Sequence, residues 1–200
     1  MISSVDLGAM LDASGAVLRG HFLLTSGRHS GVYFEKFRVL EQPQVLSTLC
    51  GEIAKAFEGQ VDVVAGPTTG GIIIAYEVAR RMGLPALYLE SEDGRRTLRR
   101  GAKFPAGARV LIVDDVLTTG RSVRECVAVV LDAGCTVGGV GVLIDRTEAA
   151  LEFGCPLCAA YRVEAESYAP DEVPEWLAAL PITKPGTREE APTSPPSATS

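Results

Sequence analysis

An α/β fold, a central and mostly parallel sheet flanked by helices, is what the apolar pattern of this chain predicts. From about residue 43 onward, short apolar runs of strand length alternate with longer helical patterns, which is how a parallel sheet covered on both faces reads in sequence. Three of the predicted strands also end in loops crowded with glycine, hydroxyl and charged residues. In such sheets the carboxyl ends of the strands are where ligands bind.

Residues 4 to 18, SVDLGAMLDASGAVL, place Val5, Leu7, Met10, Leu11, Val17 and Leu18 roughly on one helical face, with a serine available as cap. GHFLLTSGRHSGVYFEKFRVL follows, with short apolar pieces around Ser26, Gly27 and Arg28 that predict a hairpin. The repeating pattern then gives a helix in PQVLSTLCGEIAKAFEG, a strand in VDVVAG, loop and helix in PTTGGIIIAYEVARRMG, and a strand in PALYLE. An arginine-rich gap separates these from the strand ARVLIVDD, the helix RSVRECVAVVLDAG and the strand TVGGVGVLIDR. Residues 187–200, TREEAPTSPPSATS, are too rich in Pro, Ser and Thr to build a core and are expected to be a disordered tail after one domain at 1–186.

A chain of 200 residues with 46% apolar content can bury a real core. No apolar run approaches the roughly 20 residues needed to span a bilayer. The first residues have no positive start followed by an apolar block, so a cytoplasmic protein is expected. A formal charge of −6 argues against broad electrostatic binding to nucleic acid or to an acidic membrane. Five cysteines, an odd number with no secretory signal, point to reduced thiols. Cys155 and Cys158 form a C-x-x-C, but with no second pair and with His21 and His29 far away in sequence they read as packing residues. Trp176 and Tyr168 are read the same way.

The chemistry concentrates in RVLIVDDVLTTGRSV. Thr118, Thr119 and Ser122 offer hydroxyls, Gly120 permits a tight turn, and the next helix begins there with its free N–H groups and positive dipole end. Alone, this stretch also fits a plain N-capped helix after a tight turn; with two carboxylates directly before it, a phosphate cradle is the expected reading. Asp114 and Asp115, directly before it, cannot ligate a phosphate, because anions repel. They can accept hydrogen bonds from sugar hydroxyls or hold a hydrated Mg²⁺ that also touches phosphates. A phosphorylated ribose fits. The chain contains no G-x-x-x-x-G-K-[ST] and no G-x-G-x-x-G opening a helix, so ATP hydrolysis and dinucleotide redox chemistry lose support.

An apolar strand closing in Asp-Asp, two residues and Thr-Thr-Gly resembles the phosphoribosyl diphosphate (PRPP) signature of type I phosphoribosyltransferases. Three further stretches resemble orotate phosphoribosyltransferases: GHFLLTSGRHSGVYF is similar to their N-terminal hood, GVLIDR to the strand closing on an orotate-binding arginine, and ESYAPDEVPEWLAALPITKPGTR to the C-terminal end of one branch. The resemblance implies a type I phosphoribosyltransferase fold with a small hood from about 1–40 and 160–185. It implies transfer of the phosphoribosyl group from PRPP to orotate, dependence on Mg²⁺, and a homodimer. Asp114 and Asp115 would bind the ribose hydroxyls with Mg²⁺ nearby and held mainly by PRPP; Val116, Leu117, Thr118, Thr119, Gly120, Arg121 and Ser122 would form the 5-phosphate loop. Thr118 and Arg146 would meet orotate, the guanidinium fork matching a carboxylate. Without the resemblance Arg146 reads as a surface partner of Asp145 or Glu148. Tyr33 and Phe34 offer stacking faces for the flat pyrimidine, although on a hairpin only one of them faces a given side.

GPTTGG resembles the diphosphate loop of the superfamily, contributed by Thr68, Thr69 and Gly70; many orotate enzymes carry a lysine where Gly70 stands. Positive charge must come from elsewhere, and SEDGRRTLRRGAK, with Arg95, Arg96, Arg99, Arg100 and Lys103, is the expected mobile lid, the alternative being a solvated basic turn. Arg99, Arg100 and Lys103 are the catalytic cations expected there. Two other functions fit the motif alone: transfer to a different base such as a purine, and PRPP sensing without turnover.

Overall fold

The computed structural model describes residues 6–24, 26–92, 95–99, 101–147, 149–163 and 166–185. The chain divides into two compact units, drawn from residues 1–18 with 34–165 and from residues 19–33 with 166–200. The expected hood of about 1–40 with 160–185 overlaps the second unit only in part, and the predicted tail, 187–200, lies outside the described residues. Among the described residues no helix is long and apolar enough to cross a membrane.

The elements, in order, are α1 (Leu7–Ala13), β1 (Val17–Leu23), β2 (His29–Phe34), α2 (Lys36–Leu40), α3 (Pro43–Ala56), β3 (Val63–Pro67), α4 (Gly70–Met82), β4 (Ala86–Glu92), β5 (Arg95–Thr97), β6 (Arg109–Leu117), α5 (Arg121–Asp132), β7 (Thr136–Asp145), β8 (Leu157–Arg162), β9 (Ser167–Tyr168), α6 (Glu175–Ala178) and β10 (Ile182–Thr183). In the larger unit six strands run in the order β5-β4-β3-β6-β7-β8. All neighbours are parallel except β4 and β5. The expected mostly parallel sheet is therefore present, with a short antiparallel strand inside the stretch read as an arginine-rich gap.

Strand alternation divides the core in two. Val64, Leu111 and Val113 pack with α3, α4 and Leu11 on one face, whereas Val63, Ala65, Val110 and Ile112 pack with α5 on the other. α3 starts on Pro43, which loses nothing at a position whose N–H has no helical partner, and it buries Val45, Leu46, Leu49, Cys50 and Ile53 at helical spacing. The glycines inside β7, puzzling for a strand, lie beneath this helix. A Cβ on Gly139 would sit 2.1 Å from the Phe57 ring, and one on Gly141 would sit 2.4 Å from Ile53.

The first helix is shorter than the residue 4 to 18 pattern implied. Its cap is Asp6, whose carboxylate accepts from the Ala9 N–H at 3.0 Å, in place of the expected serine. At its other end the Ser14 hydroxyl donates to the Leu11 carbonyl at 2.7 Å, and Gly15 takes a positive φ, so Val17 and Leu18 enter β1 instead. Phe34 closes β2 within the core of the larger unit, 4% exposed.

The smaller unit holds a four-stranded sheet ordered β10-β1-β2-β9. The predicted hairpin is there, with Leu24 and Arg28 bonded across its turn and Gly27 at φ 80. His21, buried, meets His29 ring nitrogen to ring nitrogen at 2.6 Å. Arg28 donates to the Ser167 hydroxyl and carbonyl, tying the hairpin to β9. Trp176, expected as a packing residue, covers Gly31 yet leaves 58% of its surface exposed; its partner Leu177 is the fully buried anchor of α6.

Replacing Gly139 by Val should destabilise the protein by about 1–3 kcal/mol, because Phe57 cannot move without lifting the end of α3 from the sheet. Thermal unfolding should show a midpoint several degrees lower; an unchanged midpoint would mean that the contact between α3 and β7 is slack.

Candidate active site

Strand order places a crevice at the centre of the larger sheet. β3 and β6 pair from Val63 and Val110 to Ala65 and Ile112; beyond that β3 continues beside β4 and β6 beside β7. The chain leaves the two middle strands in opposite directions, through α4 on one face and α5 on the other. Sheets of this kind bind ligands at such a reversal. Both helices start at this edge, so the positive ends of two helix dipoles lie beside it.

Asp114 and Asp115 occupy that edge, each 8% exposed. β6 does not stop at them as the sequence suggested: it runs on to Leu117, held by pairing with Asp145 of β7. Because successive side chains on a strand point to opposite faces, the two carboxylates diverge, each toward its own helix. Asp114 Oδ1 accepts the Asp115 N–H at 2.9 Å, and Asp115 Oδ1 accepts the Val116 N–H at 2.7 Å. Asp114 also takes a hydrogen bond from the Ser122 side chain in the first turn of α5. Burial, seconded by the charge of Asp115, pushes the Asp114 carboxyl up to about 6, against the hydrogen bonds and Lys36, which pull it down.

Lys36 was missed by sequence reasoning. Its Nζ lies 2.8 Å from Asp115 Oδ2. The same oxygen would be 2.4 Å from a Cβ at position 70, so the glycine there is required by the close approach of Asp115 to the start of α4. The only signal available in the sequence was a lysine directly after the hairpin, in FEKF.

A cavity of about 390 Å³ opens beside Asp114, and Val116, Leu117, Thr118, Thr119, Gly120, Arg121 and Ser122 all line it, as do Ser91, Arg96 and Glu125. Thr118 and Thr119 are exposed and Leu117 is part of the core. Gly120 has φ 72, and a Cβ there would meet Arg124 at 2.7 Å and Leu151 at 2.9 Å, so the turn into α5 admits no side chain. In the other loop Thr68 is half-buried, Thr69 exposed and Gly70 buried; the Thr68 N–H donates to the Leu89 carbonyl at 3.0 Å, and the Thr68–Thr69 peptide is cis. The Arg146 N–H donates to the Leu117 carbonyl at 2.9 Å, which sets Arg146 beside Thr118. Asp145, one partner considered for Arg146, accepts from the Thr147 N–H and hydroxyl at 2.8 and 2.7 Å, while Glu148, the other, lies outside the described residues.

The aromatic pair is divided. Phe34 is core and offers no stacking face; Tyr33 lies in the smaller unit, half-buried against Phe22 with ring centroids 5.6 Å apart. Of the expected lid cations, Arg99 faces Glu90 at 3.7 Å and Glu92 at 3.6 Å, Lys103 is exposed, and Arg100 lies outside the described residues. Cys155 and Cys158 pack against opposite faces of the sheet, Cys155 with the α5 cluster and Cys158 with the α3 cluster.

Above the folded-state value of about 6 the buried Asp114 is ionised, which costs stability; as pH falls through 6 toward the ordinary carboxyl range that cost disappears. Carboxyl NMR titration of the ligand-free protein should show Asp114 titrating near 6, lower in Asp115→Asn, where the repulsion is gone, and higher in Lys36→Met. Identical titrations in all three would show that neither neighbour reaches Asp114.

Comparison with known proteins adds the family. Residues 39–154 match the phosphoribosyl transferase domain. A protein of Pelotomaculum thermopropionicum named orotate phosphoribosyltransferase is 46% identical over 185 residues, 92% of this chain and 97% of its own. The crystal structure of orotate phosphoribosyltransferase from Aeropyrum pernix superposes with a TM-score of 0.70 at 33% identity, covering 79% of this chain and 94% of that one. Adenine phosphoribosyltransferase from Thermoanaerobacter pseudethanolicus, at 20% identity and TM-score 0.57, covers 66% of this chain and 88% of its own, and shares the fold alone. With a family domain matched over more than half of its residues and this identity across nearly its whole length, the chain belongs to the orotate phosphoribosyltransferase family.

Proposed function

We infer that the protein transfers the 5-phosphoribosyl group of PRPP to orotate, giving orotidine 5′-monophosphate and diphosphate, a step of pyrimidine biosynthesis. The observation that carries this is the 46% identity over 92% of the chain to a protein of that name. The geometry supports it.

Asp114 and Asp115 accept hydrogen bonds from the ribose hydroxyls, and Thr118 to Ser122 with the start of α5 hold the 5-phosphate. Thr68, Thr69 and the backbone at the start of α4 face the diphosphate. Thr118 and Arg146 meet orotate, the guanidinium pairing with its carboxylate. Diphosphate leaves C1 of the ribose as the orotate nitrogen approaches from the opposite face, through a transition state of oxocarbenium character. Orotate arrives as an anion, so the protein's work is positioning and stabilisation of charge on the departing group, and no covalent nucleophile is needed.

Mg²⁺ fits the donor set. Asp114 and Asp115 present one carboxylate to each face of the strand edge, and Mg²⁺ binds through one or two carboxylates plus substrate phosphates rather than in an all-protein cage. When bound with PRPP it would neutralise charge on the diphosphate, close to Asp114 and Asp115. A homodimer is proposed from the resemblance, with the exposed Ile73 and Tyr76 of α4 as apolar surface available for contact, and cytoplasmic residence from the reduced thiols.

Orotate consumption, followed by its ultraviolet absorbance, should require both PRPP and Mg²⁺, with adenine, hypoxanthine and uracil left unused; turnover of another base in preference to orotate would overturn the substrate. Arg146→Ala should raise the KM for orotate about tenfold to a hundredfold, the worth of a charged hydrogen-bonded pair, with the KM for PRPP within twofold. Equal loss of both affinities would remove Arg146 from its assigned place.

A further inference from the structure

The cavity contains a cation that the lid reading did not single out. β4 and β5 form an antiparallel hairpin at the sheet edge in which Ser91 pairs with Arg96, and both residues line the cavity beside Asp114 and the 118–122 loop. The Arg96 side chain is only 14% exposed. It spans the two loops: Nη1 is 3.4 Å from the Thr68 carbonyl and 3.3 Å from the Thr68 hydroxyl, and Nη2 is 3.5 Å from the Ser122 hydroxyl.

Those contacts are long for N–H donors, which prefer 2.7–3.2 Å. Nε is buried and has no hydrogen-bond acceptor. Its nearest carboxylate oxygen, Glu125 Oε2, is at ion-pair distance, 3.4 Å, without hydrogen-bond geometry, and the other oxygen of Glu125 takes Arg121 Nε at 2.8 Å. A buried guanidinium is ordinarily satisfied by a close, often bidentate, oxyanion. Here it sits between the starts of two helices, each suited to phosphate, with one N–H unmet and the others weakly met. Arg99, by contrast, already faces two carboxylates.

We propose that Arg96 is the fixed cation of the site, gripping a phosphate oxyanion of PRPP between the Thr68 loop and Ser122. This rests on the phosphoribosyl transfer reading and assigns to Arg96 the charge expected of Arg99, Arg100 and Lys103. Two anionic groups of the substrate, the diphosphate and the 5-phosphate, share that chemistry, and inorganic diphosphate and ribose 5-phosphate stand for them separately.

The test is calorimetric titration of each anion into wild type, Arg96→Gln, Arg96→Lys and Arg99→Gln, with thermal unfolding run alongside. Arg96→Gln should weaken at least one anion about tenfold or more, and the anion affected names the group gripped. Arg96→Lys should recover part of the loss while keeping the fold, and Arg99→Gln should cost less than Arg96→Gln. In steady-state assays the KM for PRPP should rise in Arg96→Gln while that for orotate stays within twofold. If wild type binds the anions and both Arg96 variants bind them within twofold as well, Arg96 has no such role, as is also the case if Arg99→Gln gives the larger loss. Failure of the wild type to bind either anion would overturn the phosphate site itself, a result distinguishable from failure of Arg96 alone.

Discussion

Two carboxylates adjacent in sequence can share one strand end because a strand sends neighbouring side chains to opposite faces. On β6 this puts Asp114 toward α5 and Asp115 toward α4, so each meets its own donors: the Ser122 side chain on one side, Lys36 on the other. A sheet covered on both faces makes the arrangement expensive, since both groups leave water. Every local feature around them answers that cost. Each carboxylate takes a backbone N–H one residue on, a cation comes in from α2, and the space beneath Asp115 is kept open by a glycine.

The same strand explains the placing of the two glycine-bearing loops. β6 lies next to β3 where the order of the sheet reverses, so the helices that follow the two strands begin side by side but on opposite faces. One ligand can then touch two helix starts at once. The glycines at 70 and 120 serve these starts for different reasons: the first makes room for a carboxylate, the second takes a left-handed turn against packed side chains.

Much of this was legible because it is local. The Asp-Asp and Thr-Thr-Gly spacing lies within nine residues of one strand-loop-helix unit, and the alternation of apolar runs with helices gave the parallel sheet. What escaped depends on partners distant in sequence. Lys36 is 79 residues from Asp115, and nothing near either residue signals the pairing. The extension of β6 past its carboxylates needs β7 as neighbour. Choosing Phe34 as core over Tyr33 needs the long-range packing of Phe34 into the core of the larger unit, and placing Arg96 beside the cavity needs the register of a three-residue strand. Alternation is visible in sequence, but which of its two faces looks inward is decided by packing.

The pairing of Lys36 with Asp115 raises the question of whether a substrate must break it. A carboxylate has about four lone-pair sites, two on each oxygen. Oδ1 of Asp115 uses one for the Val116 N–H, and Oδ2 uses one for Lys36. Each oxygen keeps an acceptor site, so a sugar hydroxyl can add to Asp115 while the lysine stays. A lysine rooted at position 70 would begin in the volume of Oδ2 itself and could not do this without displacing the carboxylate. Carrying the charge on α2 and leaving position 70 bare thus keeps an acceptor site on Asp115 open beside its ion pair, which is what the proposed ribose contact requires.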